Sequence, residues 1–265
     1  MTGAIDTDDL FRDERNHPRV LRGVTLISGS TRLAELAGRI GFDTVWIEVE
    51  HGPAGFGEVE MLCMATEAGG AVPTVRIPDA QRCHVLRALE VGARIVLVPM
   101  VNDAATARQI VEHGKFPPLG ARGYNTRSRG VGYGLMDTET AFRRANERTY
   151  LFAQVETTRA VENLEDICRV EGLAGIFIGP GDLSVSLGRT GKLGDPELIR
   201  IAADCIRRAR GLGKHAGILA EPGPMLDAAR AAGADLIFCG GDVSTVAKAW
   251  SDLLSSLGTG EVTSA

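Results

Sequence analysis

Short, almost unbroken apolar runs alternate with amphipathic stretches from residue 24 nearly to the end of the chain. Runs with so little polar alternation suit strands buried on both faces, as in a parallel sheet. They fall at 24–28, 43–48, 72–76, 94–98, 150–155, 174–178, 215–219 and 235–239. Helical patterns follow them. Ala80 to Glu90 puts Val85, Leu86 and Leu89 on one face. Asn102 to Gly114 opens on an Asn cap and closes on a Gly stop. Thr157 to Arg169 carries Ala160, Val161, Leu164, Ile167 and Cys168 on one stripe. Pro196 to Arg210 begins with Asp195-Pro196, a cap followed by proline at the first helical position.

Eight such units in about 240 residues predict an α/β chain folded as one closed (β/α)8 barrel. The barrel is expected over 19–257, with a flexible arm at 1–18 and a flexible tail at 258–265. A doubly wound open sheet is the rival, and the absence of Gly-x-Gly-x-x-Gly after the first strand weighs against its dinucleotide-binding form. One stretch breaks the rhythm: Lys115 to Thr138 is rich in Gly and Arg and has no period. Loops of this length are usually functional or mobile. It is expected on the active-site rim, where Arg122, Arg127 and Arg129 would suit an anionic substrate.

Composition narrows the classes. The chain has 265 residues, 44% of them hydrophobic, and a net charge of −5, so it carries no basic footprint for nucleic acid. No apolar run approaches the ~20 residues of a membrane span. The acidic start, Met1-Thr-Gly-Ala-Ile-Asp-Thr-Asp-Asp, has no signal-peptide core. Cys63, Cys83, Cys168, Cys205 and Cys239 are scattered with no Cys-x-x-Cys pair, which suits buried or half-buried free thiols in a reducing cytoplasm.

Polar residues gather where the predicted strands end. Two carboxylates stand out: Glu156, closing Tyr150-Leu-Phe-Ala-Gln-Val-Glu156, and Asp182, in Gly175-Ile-Phe-Ile-Gly-Pro-Gly-Asp182. Two carboxylates at one barrel rim form a hard oxygen site for a divalent cation, with Mg²⁺, Mn²⁺ and Co²⁺ all acceptable. Glu48 and His51 follow the second strand, Arg76 ends the third, and Gln154 lies near the end of the fifth. Sites in this fold are assembled from several strand ends in this way. Of the five histidines, His17, His84, His113 and His215 fall before the first strand, in helices or on the opposite rim. His51 is therefore the candidate acid/base, with Glu48 as the first candidate to orient it. Glu90 ranks below it, since it ends the third helix and would reach the rim only through a partner surface or an unusual helix placement. None of the four lysines (Lys115, Lys192, Lys214 and Lys248) is placed for a Schiff base, so carbonyl chemistry would need a metal as electron sink.

With these segments in view, the chain resembles the HpcH/HpaI aldolase family, the metal-dependent pyruvate aldolases, on the side of the hydroxy-oxo-acid aldolases. The resemblance runs over roughly residues 20–255. It is carried by Gly41-Phe-Asp-Thr-Val-Trp-Ile-Glu-Val-Glu-His-Gly-Pro53, Pro73-Thr-Val-Arg76, Val98-Pro-Met-Val101, Phe116-Pro-Pro-Leu-Gly-Ala-Arg-Gly123, Gln154-Val-Glu156 and Gly172-Leu-Ala-Gly-Ile-Phe-Ile-Gly-Pro-Gly-Asp-Leu-Ser184. The resemblance implies a lyase that cleaves a 4-hydroxy-2-oxo acid to pyruvate and an aldehyde. It implies metal binding by Glu156 and Asp182, enolate stabilisation by Arg76 and acid/base work by His51. Gln154 and Leu219 would line the pocket, and the backbone N–H groups of Gly181 and Asp182 would cradle the pyruvate carboxylate. It also implies that Glu90 pairs with the histidine across a subunit boundary, in a trimer or hexamer built with the last helix, Asp242 to Leu257. Glu48 and Glu90 depart from the pattern, since relatives carry Asp there; each adds one methylene, roughly 1.5 Å.

Two other readings compete. One is a related oxo-acid lyase or decarboxylase on the same metal–enolate site, in which Gly240-Gly241 would hold the phosphate of a phosphorylated substrate, as barrels often do. The other is a non-catalytic barrel that binds a metal or an oxo acid.

Overall fold

A computed structural model describes residues 9–258. Eight parallel strands close into a barrel in chain order: β1 Leu21–Leu26, β2 Thr44–Glu48, β3 Val72–Arg76, β4 Ile95–Val98, β5 Tyr150–Val155, β6 Gly175–Ile178, β7 His215–Leu219 and β8 Leu236–Gly241. Around them run α1 Thr31–Ile40, α2 Phe56–Ala68, α3 Arg82–Glu90, α4 Ala104–Gly114, α5 Thr138–Arg148, α6 Thr158–Glu162, α7 Leu164–Cys168, α8 Pro180–Ser186, α9 Pro196–Gly211, α10 Pro224–Ala231 and α11 Asp242–Ser256. The (β/α)8 barrel expected from the sequence is the fold observed. No helix among the described residues is long and apolar enough to cross a membrane.

The core has two compartments. Leu, Ile, Val and Ala side chains pack between strands and helices. Inside the barrel lie Leu21, Trp46, Val72, Ile95, Leu97, Phe152, Phe177, Leu236 and Phe238. Gly23 makes room for this interior layer, since a Cβ there would sit 2.3 Å from the Phe238 ring. The aromatic layer forms a floor, and the inward-facing polar residues stand above it at the strands' C-terminal ends.

Several elements differ from the sequence reading. β1 begins at Leu21, where Leu21 pairs with Leu236 and Gly23 with Thr44; the apolar run at 24–28 belongs partly to the turn after the strand. α4 is capped by Asp103, whose carboxylate accepts the Thr106 N–H at 2.9 Å, because the Asn102 side chain is engaged by Thr157. The stripe over 157–169 is two short helices broken at Asn163, whose Nδ2 donates to the Asn102 carbonyl at 2.9 Å. Cys83 is exposed, while Cys63, Cys168 and Cys205 are buried.

The arm is not loose over its described part. Leu10 and Phe11 are buried under the barrel, where Phe11 stacks on His215 with ring centroids 3.7 Å apart. The Leu10 N–H donates to Tyr150 Oη at 3.1 Å. Leu10 and Phe11 thus plug the floor and anchor an arm expected to be flexible, while residues 12–18 are exposed; 1–8 and 259–265 lie outside the described residues.

The stretch 115–138 also lies elsewhere than expected. α4 carries the chain back down the outside of the barrel, which delivers this stretch to the N-terminal rim, beside the ends of α2 and α3. There Arg129 pairs with Glu67, and a Cβ on Gly130 would touch the Leu89 carbonyl. The segment ends in a helix, α5, that the sequence reading does not include.

Candidate active site

Strand parity turns Trp46 and Glu48 of β2 inward, and register sets Glu48 beside Arg76 of β3. The Glu48 carboxylate is buried. Its Oε2 lies 2.7 Å from Arg76 Nε and 2.6 Å from Nη2, a paired contact suited to guanidinium geometry. Its Oε1 accepts the backbone N–H of His51 at 3.0 Å. Glu48 therefore clamps Arg76 and the turn that bears His51, and it does not face the imidazole as expected from the sequence. The carboxylate nearest the ring is Glu50: His51 Nε2 lies 3.9 Å from Glu50 Oε2, which is 3.1 Å from Arg76 Nη1. Burial raises the Glu50 carboxyl above its ordinary range, and Arg76 and His51 pull it back. The His51 side chain is largely exposed at the mouth.

Across the barrel, Glu156 follows β5 and is 2% exposed. Its Oε1 accepts the Met100 N–H at 2.7 Å, and its Oε2 accepts Gln154 Nε2 at 2.5 Å. Met100 holds a left-handed backbone, φ 55°, which is uncommon for a residue with a side chain and often marks a functional site. Burial pushes the Glu156 carboxyl up to about 7; the Met100 N–H opposes this, and the charges of Asp182 and Glu50 add to it. Asp182 is exposed in the first turn of α8. The turn from β6 into α8 packs directly on Glu156, since a Cβ on Gly179 would lie 2.6 Å from Glu156 Oε2. Gln154 Oε1 is buried with no hydrogen-bond partner among the described residues. Leu219, at the end of β7, packs half-buried on the aromatic floor. Gly181 presents open space beside Asp182.

One rim thus brings together a clamped guanidinium, an accessible histidine and acidic oxygens from three segments. Among the described residues no three His, Cys, Asp or Glu side chains form a ready metal cluster. Glu156 and Asp182 bring two hard carboxylates to one part of the rim, where their charges disfavour one another, and the missing Cβ of Gly179 lets the Glu156 carboxylate pack against the turn. That donor set fits a divalent cation that takes its remaining ligands from water and substrate.

Glu90 is not in this group. It ends α3 on the opposite rim, where it accepts Arg122 Nη2 at 2.7 Å and Asn125 Nδ2 at 2.5 Å. Arg122 is buried there over the Phe116 ring, so it is no substrate-binding cation within its own subunit. Lys115 and Lys214 are bound to backbone carbonyls, Lys248 pairs with Asp252, and Lys192 is exposed beyond α8. Beside Gly240-Gly241, the Gly240 N–H donates to Glu221 Oε1 at 3.2 Å, and the Asp242 carboxylate accepts the N–H groups of Ile27 and Ser28 at 3.0 Å each.

The HpcH/HpaI aldolase/citrate lyase family model matches residues 23–249, nearly the whole barrel. The chain belongs to this family. It is 38% identical over 221 residues to the 2-keto-3-deoxy-L-rhamnonate aldolase of Salmonella gallinarum, covering 83% of this chain and 82% of that one. Among solved structures it is similar to an HpcH/HpaI aldolase from Desulfitobacterium hafniense, with TM-score 0.86 and 25% identity over 93% of this chain and 96% of that one. An HpcH/HpaI aldolase/citrate lyase family protein from Burkholderia cenocepacia shows TM-score 0.83 and 30% identity, over 91% and 95%. The protein is a carbon–carbon lyase of the aldolase kind.

Three parts of the aldolase's rim escape the sequence reading. Glu50 and Trp46 share the inward parity of Glu48, and that parity is the available signal. The Met100 N–H has no sequence signature beyond its place after Val98-Pro99.

Proposed function

We propose that the site forms and protonates a pyruvate enolate, cleaving 4-hydroxy-2-oxo acids between C3 and C4. The observation that carries this reading is the placing of Arg76, clamped by Glu48, on the same rim as Glu156 and Asp182. Arg76 holds the C2 oxygen and stabilises its negative charge. His51 takes the proton of the C4 hydroxyl; the C3–C4 bond breaks, the aldehyde leaves, and the electron pair passes to the C2–C3 enolate. Returning a proton to C3 gives pyruvate. The N–H groups of Gly181 and Asp182 receive the carboxylate. Gln154, through its unpartnered Oε1, and Leu219 line the pocket. A divalent cation (Mg²⁺, Mn²⁺ or Co²⁺) held by Glu156 and Asp182 supplies Lewis-acid polarisation of the oxo group.

The Salmonella relative's name points to 2-keto-3-deoxy-L-rhamnonate, or a close analogue, as substrate. Cleavage of that six-carbon acid yields pyruvate and lactaldehyde. Incubating it, beside other 4-hydroxy-2-oxo acids, with enzyme and Mg²⁺ or Mn²⁺ should release pyruvate, read with a coupled lactate dehydrogenase. If none of the acids yields pyruvate under any of the metals, the reading is wrong.

The aldolase is proposed to work in the cytoplasm as a homo-oligomer, a trimer or hexamer. α11 buries none of its residues in the subunit and exposes Trp250 at 69%, Leu253 at 61% and Leu254 at 70%. An apolar stripe of this kind calls for a cover, and a second copy of the chain is the proposed one. In such an assembly Glu90, on the rim opposite its own His51, would serve the histidine of a neighbouring subunit. Light scattering at micromolar concentration should give a multiple of 28.1 kDa; a monomer would rule out both assignments.

A further inference from the structure

Trp46 lies on β2 two residues before Glu48, so both side chains enter the barrel on one face. Its ring is 2% exposed and meets Phe177 and Phe238 edge to face, with centroids 5.2 Å away in each case. Packing alone accounts for those contacts. Two others lead upward to the reacting rim. The indole Nε1–H donates to Glu48 Oε2 at 3.0 Å. The guanidinium carbon of Arg76 lies 5.0 Å from the Trp46 ring centroid, within cation–π reach. Glu48 Oε2 is the same oxygen that Arg76 approaches with Nε and Nη2.

We propose that Trp46 is a positioning residue for Arg76, acting through Glu48 as well as through its ring. A glutamate carboxylate rotates easily about its last torsion, which is broad and roughly two-fold. The His51 N–H fixes one oxygen of Glu48 and the indole fixes the other, so the carboxylate plane is set by groups on β2 and its turn. That plane then sets the plane of Arg76. Without the indole donor, Oε2 is held by Arg76 alone, and the ion pair is free to swing as a unit about the His51 contact. A buried acceptor that has lost a donor also tends to reorient or to recruit water. Trp46 itself lies beneath the rim and touches no reacting atom. The inference rests on the oxo-acid reading of the site, since it concerns where the enolate-holding guanidinium is aimed.

Trp46→Phe keeps an aromatic ring between Phe177 and Phe238 and removes the N–H. The expected result is a fall of about 10-fold or more in kcat for pyruvate enolisation, the scale of lost outer-shell hydrogen bonds at active sites. KM for pyruvate should move less than about 3-fold, the change residing in the transition state. The loss should also be non-additive with that of Glu48→Gln, because both act through one carboxylate. A purely packing role predicts lower thermal stability with native kcat. Should Trp46→Phe fail to fold, the indole N–H of Trp46 can be followed by ¹⁵N NMR, assigned by its survival in Trp250→Phe. Glu48→Gln and Arg76→Lys should each shift that signal. A folded Trp46→Phe enzyme with native kcat, or an indole signal unmoved by Glu48→Gln, overturns the proposal. If the wild-type enzyme fails to enolise any oxo acid, the functional reading falls, and the NMR result still decides whether Trp46 governs the Glu48–Arg76 pair.

Discussion

Arg76→Lys is expected to lower kcat for oxo-acid cleavage by about 100-fold or more, the loss typical of removing one oxyanion donor. The guanidinium presents its donors in one rigid plane. Two of them meet Glu48, and Nη1 lies 3.1 Å from Glu50, so the plane is fixed before substrate arrives. An ammonium keeps the charge but cannot meet these acceptors and an enolate oxygen in one plane. It would also leave the buried Glu48 carboxylate short of donors, which is costly in itself. Steady-state cleavage and pyruvate affinity, measured together, separate the effects: kcat should fall much further than affinity. Turnover near the native rate in the lysine variant would reduce Arg76 to a cation that merely colours the rim.

His51→Ala should abolish aldol cleavage while leaving pyruvate and metal binding in place. The imidazole is exposed at the mouth, and Glu156 stands across the barrel with its own donors, Met100 and Gln154. Removing the ring therefore takes away a proton acceptor without opening the acidic side. His51 touches Glu48 through its backbone N–H, a contact that alanine keeps. Pyruvate binding by calorimetry beside cleavage kinetics tests this. Native cleavage in the alanine variant would place the base elsewhere, and loss of pyruvate binding would make His51 structural. Glu90→Gln should cost less, since it removes a charge and leaves a hydrogen bond.

Much of the barrel is readable from the chain because parallel strands buried on both faces stand out as unbroken apolar runs. Strands β2 to β7 lie within a residue of where those runs place them, and so do the strand ends that carry Glu48, Arg76, Gln154 and Glu156. Contacts across the barrel are less legible. Nothing along the chain says that Glu48 meets Arg76, since that comes from the β2–β3 register. The stretch 115–138 is misplaced where composition is read ahead of topology. In a parallel barrel a segment that follows the helix after a strand returns to the N-terminal rim, and the helix expected over Asn102 to Gly114 precedes this stretch, so its rim follows from the predicted topology and not from its Gly- and Arg-rich composition. The arm misleads because Leu10 and Phe11 stand in a polar, acidic surround; the apolar mouth that receives them is formed by residues far along the chain, Phe152 and His215 among them.

Enolisation of pyruvate in D₂O tests the central claim most directly, because it needs the oxo-acid site but no aldehyde. Loss of the methyl proton signal is followed by NMR with wild-type enzyme, with exhaustively chelated enzyme, and after Mg²⁺ or Mn²⁺ is returned. A site built on Arg76, Glu156 and Asp182 predicts exchange in the wild type, none after chelation, and recovery with the metal; Glu156→Gln should not recover. Full exchange after exhaustive chelation, or an imine trapped by borohydride, would contradict it.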